Sequence, residues 1–451
     1  MGHLAGKDVY RELGRKIDGL TARAPWNEAL RDILKELYSE EEADLVIRMP
    51  YRLATLDRLE RVTGYERARL ERVLEQLSAK GLVLDLCLGD CYRYMPSPFV
   101  IGIFEFTMMR TGAGLNTKQW ARLFHRYIES GALWQGNLGK GQQLQLMRSV
   151  PHEDALAPEE RVEVLDYEKA SAIVRSQQKF AVGLCSCRHE KLHVRAEPTD
   201  VAHGSGPAKG TEPCRVPLES CTSMGHAVDY LVRRKLAREI SRTEMLERVA
   251  QSKELGLVMN ADNVQRKVSF ICHCCGCCCN VLLGISRFGC PHVVVTSSYM
   301  ARVDDARCEG CGKCKKACPI GAIELDRLAQ PVGKKRVRPL VDERFCLGCG
   351  VCAVKCTTGA LTLKQRGQRI LHPETTFERT LLQCLELGTL QNQLFDDPGR
   401  ITHQFMRAFV GAVLRLPPVK KALLSDTLRS RFLGALKAGA ARSVGSDVLD
   451  A

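Results

Sequence analysis

The chain has 451 residues, which excludes a single small module and suits two to four folded units. Hydrophobic residues make up 45% and charged residues 26%, which excludes global disorder, and aromatics at 6% leave the cores mostly aliphatic. The formal charge of +14 is compatible with acidic partners, nucleic acid or anionic membrane and selects none of them.

The 22 cysteines are the more informative number. They fall in tight clumps, and cysteines one to three residues apart cannot pair with one another in good disulfide geometry, so the spacing points to metal ligation. Met1 to Lys16 shows no apolar core of a secretory signal and no small-residue cleavage site, so a reducing cytoplasm is the expected location.

In chain order the expected class is a multidomain α+β protein with units at 26–96, 97–182, 183–299, 300–365 and 366–451. In the first unit Leu30, Ile33, Leu34 and Leu37 recur at helical spacing, followed by a short helix through Ala43, Val46 and Ile47. A turn at Thr55 to Leu59 precedes an amphipathic helix carrying Leu70, Val73, Leu74 and Leu77, which stops at Lys80-Gly81. Leu82 to Leu88 then alternates, with a Gly89-Asp90 turn and a return strand at Tyr92-Arg93-Tyr94. This order resembles a winged helix. The resemblance implies either a DNA reader or a docking module, and the nearly balanced face of the third helix, from Tyr65-Glu66 onward with Arg67, Arg69, Glu71 and Arg72, favours docking.

Residues 97–182 read as a mainly helical connection, with a buried segment Phe99 to Phe104 and one helical face made by Trp120, Leu123, Phe124, Tyr127 and Ile128. Gly136 to Gly141 lacks the spacing of a phosphate loop and reads as a surface turn.

Within 183–299, the span from Cys185 to Cys279 carries ten cysteines: Cys185, Cys187, Cys214, Cys221, and a knot of Cys272, Cys274, Cys275, Cys277, Cys278 and Cys279. Val268 to Ser286 has no formal charge, yet six thiols around one glycine are soft-metal ligands rather than a membrane helix. Arg266, Lys267 and Arg287 are expected to offset cluster charge. Ten thiols suffice for two further cubanes, or for one cubane and a less usual cluster. Cys185, Cys187, Cys214 and Cys221 are the expected first site, and the choice of ligands within the knot stays open. The Cys-Cys-Gly element resembles the cysteine-rich domain of heterodisulfide reductases, although that family's wide spacing and second copy are missing. His189, His226, His273 and His292 lie nearby with no ligand-like spacing. Cys87, Cys91 and Cys384 read as buried thiols.

The strongest signal is a repeat. Val303 to Leu325 aligns without gaps on Val341 to Leu363 at an offset of 38, with 11 of 23 positions identical. Each copy contains C-x2-C-x2-C-x3-C: Cys308, Cys311, Cys314 and Cys318, then Cys346, Cys349, Cys352 and Cys356. The segment resembles a bacterial-type ferredoxin with two [4Fe-4S] clusters. That resemblance implies one cluster on Cys308, Cys311, Cys314 and Cys356, and the other on Cys346, Cys349, Cys352 and Cys318. Thr357 replaces the proline that follows the first quartet, and Gly333-Lys334-Lys335-Arg336 reads as a basic hairpin tip.

From Ile401 to Arg442 eight Lys or Arg face a single Asp426. Phe405, Phe409, Val413 and Leu416 form one apolar stripe, and Val419, Leu423, Leu428, Phe432 and Leu436 a second, so a basic amphipathic pair of helices is expected against the protein's own core, a partner subunit or anionic lipid. No dinucleotide fingerprint, HExxH helix or Ser-His-Asp order appears. The expected function is single-electron transfer by two [4Fe-4S] clusters and one or two additional iron–sulfur clusters, to or from a partner oxidoreductase, with anaerobic metabolism as the expected setting. The alternatives are a redox-sensing DNA-binding regulator and an enzyme whose knot cluster is itself catalytic.

Overall fold

The computed structural model describes residues 8–194, 214–332 and 335–444. The Gly/Pro-rich loop at 203–213 and two residues of the basic hairpin tip, Gly333 and Lys334, lie outside the described residues.

The amino-terminal unit begins earlier than the apolar spacing suggests. Helix Val9–Asp18, capped by the Asp8 carboxylate, buries Leu13 and Ile17 against helix Glu28–Leu37, where Leu30, Ile33, Leu34 and Leu37 form the buried face. Helix Glu40–Arg48 starts in a reciprocal cap between Ser39 and Glu42. Strand β1 (Ala54–Thr55), helix Leu56–Thr63 and helix Arg67–Ala79 follow, and Leu70, Val73, Leu74 and Leu77 are all buried. Strands β2 (Val83–Leu88) and β3 (Cys91–Pro96) form an antiparallel ribbon, and β1 adds to β3 for a sheet order of β1-β3-β2. Cys87 and Cys91 are exposed rather than buried, because they sit at the solvent end of this ribbon; Cys384 is buried as expected.

Residues 97–182 carry several helices and two strands. Helix Thr117–Glu129 buries Trp120, Leu123, Phe124, Tyr127 and Ile128. The stretch from Gly136 is not a surface turn at its start: it closes helix Ala132–Leu138, and buried Asn137 exchanges hydrogen bonds with the Arg23 backbone at 3.0 and 2.9 Å. Strands β4 (Met147–Val150) and β5 (Phe180–Leu184) of this stretch join a larger sheet with β6 (Glu219–Met224), β7 (Ala237–Ile240), β8 (Val258–Asp262) and β9 (Phe270–Cys274). The order is β4-β8-β9-β6-β5-β7 and every neighbouring pair is antiparallel. Helices Ala170–Arg175 and Arg242–Leu255 share a core with one face of this sheet. The uncharged run 268–286 divides into β9, a cysteine turn and helix Asn280–Phe288, and among the described residues no helix is long and apolar enough to cross a membrane.

The repeat builds two short antiparallel pairs. Strand β10 (Tyr299–Val303) pairs with β13 (Leu361–Gln365), and β11 (Ile323–Val332) pairs with β12 (Lys335–Val341). Each cysteine run ends in a short helix, Lys313–Ala317 and Val351–Val354. In the tail the two stripes part company. Leu423, Phe432, Leu433 and Leu436 pack with Leu381, Leu385 and Leu414 on helices Thr376–Leu387 and Ile401–Leu414, whereas Phe405, Phe409, Val413 and Leu416 stay exposed together with Ile401.

Candidate metal centres

The two cysteine runs of the repeat wrap through left-handed turns that only glycine adopts cheaply. Gly310, Gly312, Gly348 and Gly350 all have φ between 67° and 82°, and a Cβ on Gly348 would stand 2.1 Å from the Tyr299 carbonyl oxygen. A small cavity is lined by Cys318, Cys346, Cys349 and Cys352 together with Ile320, Ala322 and Leu363. Cys318 thus stands with the second run, not the first, and the Ala322 amide donates to its Sγ at 3.2 Å. Cys314 interacts with Cys308 and Cys311. The donor set is all thiol, with a backbone amide aimed at sulfur, which fits iron–sulfur cubes. Cys346 and Cys352 are buried, whereas Cys311 is exposed and Cys308, Cys314 and Cys356 are half-buried, so the two quartets sit at different depths.

Upstream, the ten thiols divide differently from the expected first site. Cys185 contacts Cys187, Cys187 contacts Cys279, Cys279 contacts Cys274, Cys274 contacts Cys272, and Cys272 contacts Cys221. The sheet explains the last contact: the β6–β9 register sets Cys221 directly opposite Cys272. Thiol hydrogen bonds from Cys272 and Cys279 pull Cys274 down to about 5 against its burial. Cys214 stands apart from this string, with Cys275, Cys277 and Cys278, at Sγ–Sγ distances of 3.7 Å to Cys275 and 3.6 Å to Cys277.

Two features that the residue pattern leaves unassigned hold the string in place. Arg188 is buried beside Cys185, Cys274 and Cys275; burial opposes its charge, and those thiols more than offset it and raise it. Its terminal nitrogens donate to Ser220 Oγ and the His273 carbonyl, its side chain also hydrogen-bonds Cys275, and its buried Nε has no hydrogen-bond partner among the described residues. Of the expected cations, Arg287 pairs with Glu129 at 2.8 Å, Arg266 is exposed near Glu374, and Arg266 and Lys267 line the same cavity as the string. The second feature is a buried polar cluster. Glu190 accepts from Lys191 at 2.8 and 2.9 Å and from Asn280 Nδ2 at 2.9 Å, and contacts His125 Nδ1 at 2.9 Å, while Lys191 also donates to Asn280 Oδ1 at 2.9 Å. It fastens helix Ser186–Val194, which follows Cys185, to helix Asn280–Phe288, which follows Cys279. Sequence spacing carries no signal for a contact across 90 residues.

The histidines take structural positions. Buried His273 lies between Thr222 Oγ1 and Ser252 Oγ, and burial pushes it down to about 3; His189 meets the Met108 carbonyl, and His226 and His292 are exposed.

The knot rests on the repeat. A Cβ on Gly276 would stand 2.5 Å from the carbonyl oxygen of Pro319, the residue after Cys318, so the two backbones touch where a side chain would part them. The His152 amide donates to the Cys349 carbonyl at 3.0 Å while its Nε2 meets the Leu257 carbonyl at 2.8 Å, and Lys355 donates to the Glu254 carbonyl at 2.6 Å. On its other side the thiol string lines a cavity of about 1710 Å³ whose walls include Cys185, Cys221, Cys272, Met109 and Tyr230. Glu105 also lines it, and burial pushes its carboxyl up to about 7 against the hydrogen bond it accepts from the Gly102 amide at 3.1 Å.

A protein of this build is an iron–sulfur protein. The family model for a 4Fe-4S dicluster domain matches residues 307–360, which is the repeat itself. Neither the curated proteins nor the solved structures yield a significant match to the chain.

Proposed function

We propose that the protein is a multicluster electron carrier in which Cys308, Cys311, Cys314 and Cys356 hold one [4Fe-4S] cluster and Cys346, Cys349, Cys352 and Cys318 the other, with a further iron–sulfur cluster on the string Cys185, Cys187, Cys221, Cys272, Cys274 and Cys279. The clusters supply one-electron chemistry with little rearrangement. The observation that carries the reading is the contact of Gly276 with Pro319, which sets the cysteine knot against the turn that follows Cys318 of the deeper ferredoxin quartet and supports a relay between neighbouring centres. The shallower quartet, with exposed Cys311, is the port for a partner oxidoreductase, and Arg188 offsets negative charge at the inner end. Reductive titration with EPR detection tests this: replacing Cys356 by serine removes one ferredoxin signal and leaves the signal of the string.

The amino-terminal unit has the strand and helix order of a winged helix, and its charges favour docking over DNA. Arg67 pairs with Asp57, Glu60 and Glu71, and Arg69 and Arg72 pair with Glu41, so the cations of the third helix are spent on neighbouring acids. Arg233 and Arg234 bind Asp85 on the ribbon, and Arg234 reaches Glu75 as well, which ties this unit to the large sheet's helix His226–Arg233. The tail's exposed apolar stripe and its surplus of cations suit an anionic lipid surface.

The cavity favours a second reading, in which the string's cluster is reached by a small substrate and Glu105 exchanges protons beside it. Turnover lost in Glu105→Gln with unchanged iron content supports that reading, and unchanged turnover removes it.

A further inference from the structure

We propose that Cys214, Cys275, Cys277 and Cys278 hold a single zinc ion in a tetrathiolate site that fixes the turn of the cysteine knot lying against the ferredoxin unit. The four Sγ atoms all lie within 4.8 Å of one another, with separations of 3.7 Å for Cys214–Cys275, 3.6 Å for Cys214–Cys277 and 3.6 Å for Cys277–Cys278. Four thiolates bound about 2.3 Å from one ion stand about 3.8 Å apart along the edges of a tetrahedron, so the spacing is that of a mononuclear site. It is too long for a disulfide and too short for the corners of a cube, where thiolates radiate outward from four separate irons. The same chain supplies the comparison. Among the described residues no other group of three or more such ligand atoms is this compact, and the two ferredoxin quartets are not.

The surroundings suit a structural ion. Leu257 and Val216 pack against Cys214, Cys275 and Cys278 and cover one side of the site while Cys277 is exposed on the other, and with four protein donors no position is left for water or substrate. Three donors come from one tight turn and the fourth from 61 residues earlier in the chain, so the ion closes a long loop. Gly276, in the middle of that turn, is the residue that meets Pro319. Binding replaces thiol protons by metal–sulfur bonds and releases those protons to solvent. The six remaining thiols form the separate string, so the ten upstream cysteines divide four and six.

The test is metal analysis of the full-length chain, purified without oxygen from cells supplied with both iron and zinc. One equivalent of zinc is expected beside the iron, and Cys277→Ser and Cys278→Ser each lose it while iron, sulfide and the EPR of the reduced ferredoxin clusters stay unchanged. Cys356→Ser serves as the converse, losing iron and keeping zinc. Iron loss in Cys277→Ser, or wild-type chain without zinc, overturns the assignment. Should the serine variants fail to fold, cobalt exchange into the wild-type chain decides: tetrahedral cobalt–thiolate absorption supports the site, and octahedral or no cobalt uptake overturns it.

Discussion

Replacing Glu190 by glutamine tests how the upstream site is held. The Glu190 carboxylate is fully buried, and it faces Lys191, which is 5% exposed, along with His125 and Asn280. Burial would raise the carboxyl, but Lys191 and His125 overcome it and hold it below its ordinary value. Removing one partner of a buried ion pair costs about 3–5 kcal/mol because the other charge is left without compensation. The glutamine amide keeps hydrogen bonds to Asn280 and His125, which places the cost near the lower end, about 3 kcal/mol. That corresponds to about 6–12 °C in the midpoint of the unit that contains it. Thermal denaturation without oxygen, followed in the far ultraviolet and in the iron–sulfur absorption, is the assay. Glu190→Gln with Lys191→Met removes both charges and should recover most of the loss. Because the folded carboxyl titrates below the unfolded one, its contribution is full above about pH 4.3 and disappears as pH falls through the depressed value. A shift below about 2 °C in the single variant, or a double variant as unstable as the single, refutes the reasoning.

Asp396, 1% exposed, accepts from Arg52 at 3.1 Å and from Arg58 at 2.8 and 2.9 Å, so Asp396→Asn should cost about 1.5–3 kcal/mol in denaturant unfolding. Burial would raise this carboxyl too, but both arginines hold it down, so the effect of the substitution should vanish only below the ordinary carboxylate range. Gly276→Ala puts a Cβ against Pro319 and should slow electron exchange between the knot and the ferredoxin clusters while leaving iron content intact, as read by rapid-freeze EPR. Phe405→Ser with Phe409→Ser, at side chains 68% and 58% exposed, should move stability by less than about 0.5 kcal/mol yet reduce cosedimentation with anionic vesicles. DNA titration should show only weak binding without sequence preference, because Arg67, Arg69 and Arg72 are paired with acids; a steep salt slope with sequence preference would contradict that.

The parts that were legible in the sequence are those whose signal is local. Helical spacing at Leu30 to Leu37 and Leu70 to Leu77 names buried faces correctly because one helix turn carries the whole pattern. The repeated quartets are equally local, and duplication multiplies their information. Cys214 shows the opposite case. Chain order groups it with Cys185, Cys187 and Cys221, but the antiparallel β6–β9 pairing carries Cys221 to Cys272 and leaves Cys214 with Cys275, Cys277 and Cys278. That outcome depends on strand order in a six-stranded sheet, which no window of residues reports. Arg188, Glu190 and Asn280 escape notice for the same reason. In the tail, composition identifies two apolar stripes and cannot say which one finds a core; packing against Leu381, Leu385 and Leu414 takes the second and leaves Phe405 and Phe409 outside.

The most direct test of the central claim, that the duplicated quartets cage iron–sulfur cubes for electron transfer, is quantitation of iron and acid-labile sulfide in chain purified without oxygen. The account predicts brown protein with at least about eight irons and eight sulfides from residues 307–360, and about four more of each from the thiol string. Colourless protein free of sulfide would contradict it.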